Sequence, residues 1–254
     1  MMSIATQDTT QPGGRMSVLE RQKADHVRLD ELLQALARVR GTGPEELVLA
    51  RVYRLVFPHA FAEEAVLWPV LRRVLPDGER WTLQVEQEHQ EVNELVTRLD
   101  AGRPGDPGRE ELLDRLVTVL REDVRDEEDE LLPRLQQAVG PTGLRLLGLA
   151  WEAVRRVAPT RPHPTVARRP PGNALAALPL TVLDRLRDLS IEARWRLPRP
   201  LGLPLRLSDR ALAALAGHVE RLPVLRSGED PSTHRPPGVD QAPSSRARTG
   251  GHPA

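Results

Sequence analysis

The feature that most constrains this chain is a segment that occurs twice. His59-Ala-Phe-Ala-Glu63-Glu64-Ala-Val-Leu67-Trp68-Pro69 is echoed 64 residues later by Asp123-Val-Arg-Asp-Glu127-Glu128-Asp-Glu-Leu131-Leu132-Pro133. Both read [His/Asp]-x-x-x-Glu-Glu-x-x-Leu-x-Pro, which places a ligand-type side chain and a carboxylate one helical turn apart. A second echo lies upstream, where His26-Val-Arg-Leu-Asp30-Glu31-Leu32-Leu33 is matched by His89-Gln-Glu-Val-Asn93-Glu94-Leu95-Val96. One helical hairpin has therefore been used twice. Each copy offers one polar residue from its first helix and an i, i+4 pair from its second.

Apolar periodicity predicts helices over about 15–40, 45–75, 79–101, 109–139 and 142–157, separated by Gly/Pro turns at 41–44, 76–78 and 102–108. The short first turn makes helices one and two antiparallel neighbours. An interior proline, Pro58, predicts a kink or break just before His59. The stripe expected to face inward on the second helix is Val52, Val56, His59, Glu63, Val66 and Val70; on the fourth it runs through Leu120, Asp123, Glu127 and Leu131. The fold expected is all-α, an antiparallel up-down four-helix bundle over 15–140 with an additional packing helix over 141–157.

Outside the bundle, 1–14 reads as a disordered leader and the proline-rich 158–173 as an extended strap. A C-terminal helical region follows over 174–226, with periodic segments at 175–195 and 208–222 split by proline-rich 197–207. The polar, Pro/Gly/Ser-rich 227–254 reads as a disordered tail.

His26, His59, Glu63, His89, Asp123 and Glu127 all fall on apolar stripes, with no Lys or Arg on those stripes within a turn of them. Carboxylates aimed into one core must be protonated, salt-bridged or bound to a cation, because an unpaired buried charge costs several kcal/mol. Counted from the predicted helix ends, the candidates share a level within roughly 3 to 6 Å at ~1.5 Å rise per residue. Six N/O donors without sulfur, two of them carboxylates able to bridge, describe a non-haem site for one or two iron or manganese ions, with iron the first choice. Zinc ordinarily takes four ligands and needs no bridging carboxylates.

At these residues the chain resembles the hemerythrin-like family of His-His-Glu (HHE) cation-binding domains, over about residues 15–140. The resemblance implies a four-helix bundle holding a di-iron centre, with His26, His59, His89 and position 123 as terminal ligands and Glu63 and Glu127 as bridges. It implies binding or sensing of oxygen, nitric oxide or peroxide. One departure stands out: Asp123 occupies a position where the family normally has histidine. Aspartate is shorter, anionic and harder, so it would ligate directly, act through water, or leave one metal weakly held, and it favours the ferric state.

Other features carry less chemistry. Glu64 and Glu128, one position off the stripe, are expected to be solvated or to support the ligands. His163 is read as a strap residue, and His218, His234 and His252 as surface or tail residues. The acidic run Asp126–Glu130 is helical, so its side chains diverge instead of wrapping a calcium ion. Thirty-six basic and 36 acidic residues cancel, and the short Arg pairs at 155–156 and 168–169 lack interleaved aromatics, so no nucleic-acid partner is expected. No apolar run reaches the roughly 18 residues of a membrane helix, no signal peptide is evident, and there is no cysteine, so a cytoplasmic location is the default. No phosphate loop or Gly-x-Ser-x-Gly elbow is present. The competing readings are a helical protein-interaction module with a degenerate metal site, its function carried by the helices after 175, and peroxide decomposition at the irons, for which no separate acid/base residue appears.

Overall fold

A computed structural model describes residues 2–8, 13–167, 169, 171–197 and 202–227. Among them the protein is all-α. Helices α1 (Val18–Val39) and α2 (Glu45–Ala62) form the first hairpin, and α2 runs through a π-helical segment, Glu63–Leu67, into α3 (Trp68–Val74). The second hairpin repeats this plan with α4 (Gly78–Ala101), α5 (Arg109–Asp126), a π-helical segment Glu127–Leu131 and α6 (Leu132–Ala138). Helix α7 (Pro141–Arg156) follows, then α8 (Gly172–Arg196) and α9 (Gly202–Val219).

The duplicated motif thus encodes a π turn. In each copy the residue after the π segment donates its N–H to the carbonyl five residues back, Trp68 to Glu63 and Leu132 to Glu127. Pro69 and Pro133 then occupy the first turn of the next helix, where a missing N–H costs least. The break expected at Pro58 is not where the backbone departs from α geometry. Helix α2 continues past it to Ala62, and the irregularity lies after His59 instead. The extra residue of the π turn also moves the inward face by one position. Leu67 and Leu71 are buried, whereas the expected Val66 and Val70 are only half-buried.

Helices α1, α2, α4 and α5 share one apolar cluster, built from residues such as Leu33, Leu36, Tyr53, Val96, Leu99, Leu116 and Leu120. This arrangement is compatible with the expected up-down bundle. A second cluster sits at the other end, around Leu19, Trp68, Leu71, Val85, Leu132 and Trp151. The six candidate residues fall in the layer between the two, so apolar packing on both sides holds them at one level. Helix α7 closes the second end. Gly148 makes the close approach possible: a Cβ there would lie 2.2 Å from the Met16 carbonyl oxygen.

The regions outside the bundle add three details. In the leader, Ile4 is buried in the second cluster and Gln7 is buried with a hydrogen bond to Gln136, while residues 2, 5, 6 and 8 are exposed. Helix α9 begins at Gly202, inside the proline-rich separator, because Pro204 falls in its first turn. In the expected 158–173 strap, residues 158–167 are non-helical and fastened down: Asp184 accepts from the backbone N–H groups of Thr160 and Arg161, and buried Arg161 pairs with Asp188 at 2.7 Å. The tail from 228 onward lies outside the described residues.

Candidate metal centre

His26 on α1, His59 on α2 and His89 on α4 converge with Glu63, Asp123 and Glu127 in the layer between the two clusters. The π turns contribute directly, since Glu63 and Glu127 are their first residues and both are fully buried. His59 Nε2 lies 3.0 Å from Glu63, His26 Nε2 lies 3.2 Å from Glu127, and His89 Nε2 lies 3.7 Å from both Glu63 and Asp123. The His26 and His59 rings are 5.2 Å apart.

Each imidazole is held from behind by a carboxylate on Nδ1. His26 contacts Glu128 at 2.8 Å, His89 contacts Glu64 at 2.9 Å, and His59 contacts Asp25 at 3.2 Å. A carboxylate on Nδ1 orients the ring and leaves Nε2 as the inward donor, which is how metal-binding histidines are usually supported. The pattern crosses between the repeats: the second Glu of each Glu-Glu pair supports the histidine of the other hairpin. Gln22 donates to Glu63 at 2.6 Å, and the edge of Trp151 packs on His59 with centroids 5.4 Å apart.

Among the described residues two groups each bring three potential ligand atoms within 4.8 Å of one another: His26, His59 and Glu127 in one, and Glu63, His89 and Glu127 in the other; Asp123 belongs to neither. They share Glu127. Whether these residues fit cations is tested by their buried atoms. His26 Nε2, Glu63 Oε2, Asp123 Oδ1 and both Glu127 oxygens have no hydrogen-bond partner. Buried carboxylate oxygens left in this state are costly unless a cation takes them up. The donor set, three imidazoles and three carboxylates without sulfur, suits iron or manganese.

The electrostatics of the protein alone express the same crowding of negative charge. Burial would lower His26 and His89, but contact with Glu127 and Glu128 raises His26 to about 9, and the charge of Asp123 with the Glu64 contact raises His89 to about 10. His59 is also raised, its burial outweighed by Glu63 and Asp25. Burial, then the neighbouring Glu127 charge, pushes Asp123 well above the ordinary carboxylate range, and burial with Glu63 raises Glu127. Glu63 is lowered because His59 overcomes its burial. Protons held on the imidazoles balance the carboxylates, and a cation would replace them.

A cavity of about 80 Å³ opens beside this layer. Its walls include His26, His59, His89 and Asp123 on one side and Arg161 and His163 of the strap on the other, with Leu29, Val56 and Leu120 between. His163 is more than a linker residue. Its backbone N–H donates to Asn93, one turn beyond His89, and its ring contacts Asp184 at 3.1 Å. His218 is exposed, as expected, and His234 and His252 lie outside the described residues.

Sequence reasoning missed Asp25, Gln22 and Trp151. Asp25 had one signal, since it precedes His26 as Glu88 precedes His89. Gln22 also had a signal, since it interrupts the stripe of Leu19, His26 and Leu29, whereas nothing in the local pattern marked Trp151, which reaches the site only through packing.

The model of the hemerythrin HHE cation binding domain matches residues 17–135. Those residues belong to the hemerythrin HHE cation-binding family. An uncharacterized hemerythrin-like protein of Schizosaccharomyces pombe is 25% identical over 132 residues, 52% of this chain and 65% of that protein. A DNA nickase of Nostoc sp. is 24% identical over 121 residues, 48% of this chain and 34% of that protein. The chain thus spans just under two thirds of the first relative and about a third of the second. No solved structure gives a significant match. Among the described residues no helix is long and apolar enough to cross a membrane.

Proposed function

We propose that this hemerythrin-type domain holds two non-haem iron ions and binds or senses a small ligand, oxygen, nitric oxide or peroxide, in the adjoining cavity. The observation that carries the reading is the sharing of Glu127 between two three-residue groups of ligand atoms. Two overlapping groups suit two cations bridged by a carboxylate better than one cation with spare donors. His26, His59, His89 and Asp123 would be the terminal ligands, and Glu63 and Glu127 would span the pair. Bound iron would supply reversible coordination and redox chemistry. The protein's own residues set the conditions for it. Glu128, Glu64 and Asp25 fix the imidazole tautomers, Gln22 holds one oxygen of Glu63, and the apolar clusters keep bulk water from both ends of the layer.

The cavity admits a small ligand: a water needs roughly 10–15 Å³ on this measure, so about 80 Å³ holds several waters, a diatomic or a peroxide. The nickase similarity covers too little of that relative to bring its activity here.

Metal analysis and absorption spectroscopy of the iron-loaded chain test the proposal. About two irons per chain with near-ultraviolet oxo-iron absorption is the expected result; less than about half an equivalent of any transition metal would overturn it.

A further inference from the structure

Helix α8 is apolar on both sides. One side packs inward, where Ala176 and Leu180 meet Ala216 and Leu225, while Asp184 and Asp188 hold the strap. The opposite side faces solvent. Leu175, Leu178, Val182, Leu186 and Leu189 are each between 44 and 66% exposed. The other exposed positions in that span are Pro179 and Arg185. At 100° per residue the five side chains form one stripe about 80° wide and roughly 21 Å long. A helix apolar all round is normally covered all round.

We infer that this stripe is an interface between two copies of the chain, joined by an antiparallel α8–α8 contact centred on Val182. Three observations select a second copy as the occupant. The spacing is symmetric about Val182, with leucines four and seven residues away on each side, so a two-fold axis there pairs Leu175 with Leu189 of the partner subunit and Leu178 with Leu186 of the partner subunit. An isologous contact requires this self-complementarity. The same axis sets Arg185, the lone charge, opposite Pro179 of the partner subunit, so no like charges are buried together. The area also suffices: at about 100 Å² per residue, five residues from each copy reach the ~1,000 Å² expected of a specific interface before flanking groups are added. The chain's own segment 228–254 does not suit the stripe, because its one large aliphatic residue is Val239.

The inference is independent of the metal. Light scattering on the full chain, in a concentration series up to about 200 µM, should approach twice the 28.3 kDa chain mass. The L178E/L186E variant should remain monomeric throughout, with unchanged far-ultraviolet circular dichroism because both side chains are exposed. The absence of native cysteine permits a second, folding-neutral test. Under mild oxidation V182C should cross-link to a covalent dimer, while a cysteine at exposed Arg125 should not. A monomer at every concentration, a dimer that survives L178E/L186E, or equal cross-linking at 125 and 182 would each overturn the proposal.

Discussion

The two hairpins differ most instructively at one position. In the first, His59 points Nε2 at Glu63 and rests Nδ1 on Asp25. In the second, Asp123 replaces the histidine, and Glu88, the counterpart of Asp25, has no imidazole to support. Glu88 Oε2 is buried without a hydrogen-bond partner, and burial, only partly offset by the hydrogen bond from Gln84, pushes the carboxyl up to about 7. One substitution has exchanged an imidazole for a carboxylate and also stranded its support. The remaining parts of the second copy, His89, Glu127 and Glu128, keep their positions because the π turn and the apolar layers fix them.

The largest effect should come from the residue both groups share. Glu127→Ala is expected to reduce iron from about two per chain to below about half an equivalent, while Asp129→Ala, at an exposed neighbour, leaves it unchanged. Metal analysis after iron loading reads both. If Glu127→Ala retained both irons, the bridging role would be lost and the two hairpins would have to bind separately.

The asymmetry of the supporting carboxylates should appear next. Asp25→Asn should weaken metal retention roughly 10–100-fold against a competing chelator, as removal of a histidine's supporting carboxylate generally does. Glu88→Gln in the natural sequence should change retention by less than about 2-fold, because it supports no ring. In an Asp123→His background the same Glu88→Gln change should cost about 10-fold, a coupling that a double-mutant cycle isolates. Equal effects of Glu88→Gln in both backgrounds would show that the repeat does not extend to the supports.

The smallest effect concerns the strap, which His163 ties to Asn93 of the second hairpin while the Arg161 guanidinium lies 5.5 Å over the Tyr53 ring of the first. Asn93 is buried and accepts from the His163 N–H, whereas its counterpart Asp30 is exposed and pairs with Gln34 and Arg121. Burial lowers His163, but the hydrogen bonds to Asp184 and Glu220 raise it from 6.5 to about 9. A group with a raised folded-state pKa gives its full stabilisation below about pH 6.5 and loses it as pH rises through about 9. Hydrogen exchange over 158–171, corrected for intrinsic rate, should therefore quicken between those values, and His163→Ala should remove the pH dependence. A profile identical in the two proteins would refute the role of His163 as a fastener.

Much of the centre was legible because its residues break a pattern. His26, His59, Glu63, His89, Asp123 and Glu127 interrupt apolar stripes, and an ionisable group on such a stripe needs a partner wherever the helix packs. The supports were less legible. Glu64 and Glu128 sit one residue off the stripe and read equally well as solvated; their contacts with His89 and His26 cross from one hairpin to the other, so no local spacing contains them. Asp25 likewise serves a different helix from its own.

By itself the sequence determined most of the helices, the duplication and the level at which the six candidate side chains lie, since periodicity and turn residues act locally. Tertiary structure decided the rest. The π turn at Glu63–Leu67 moves the inward face from Val66 and Val70 to Leu67 and Leu71, a shift seen only in the packed helix. The strap, reading as a linker, becomes a wall of the cavity because Asp184 and Asp188 of a distant helix satisfy its backbone and its arginine. That outcome depends on satisfying buried polar groups through partners far away in the chain, which a local pattern does not encode.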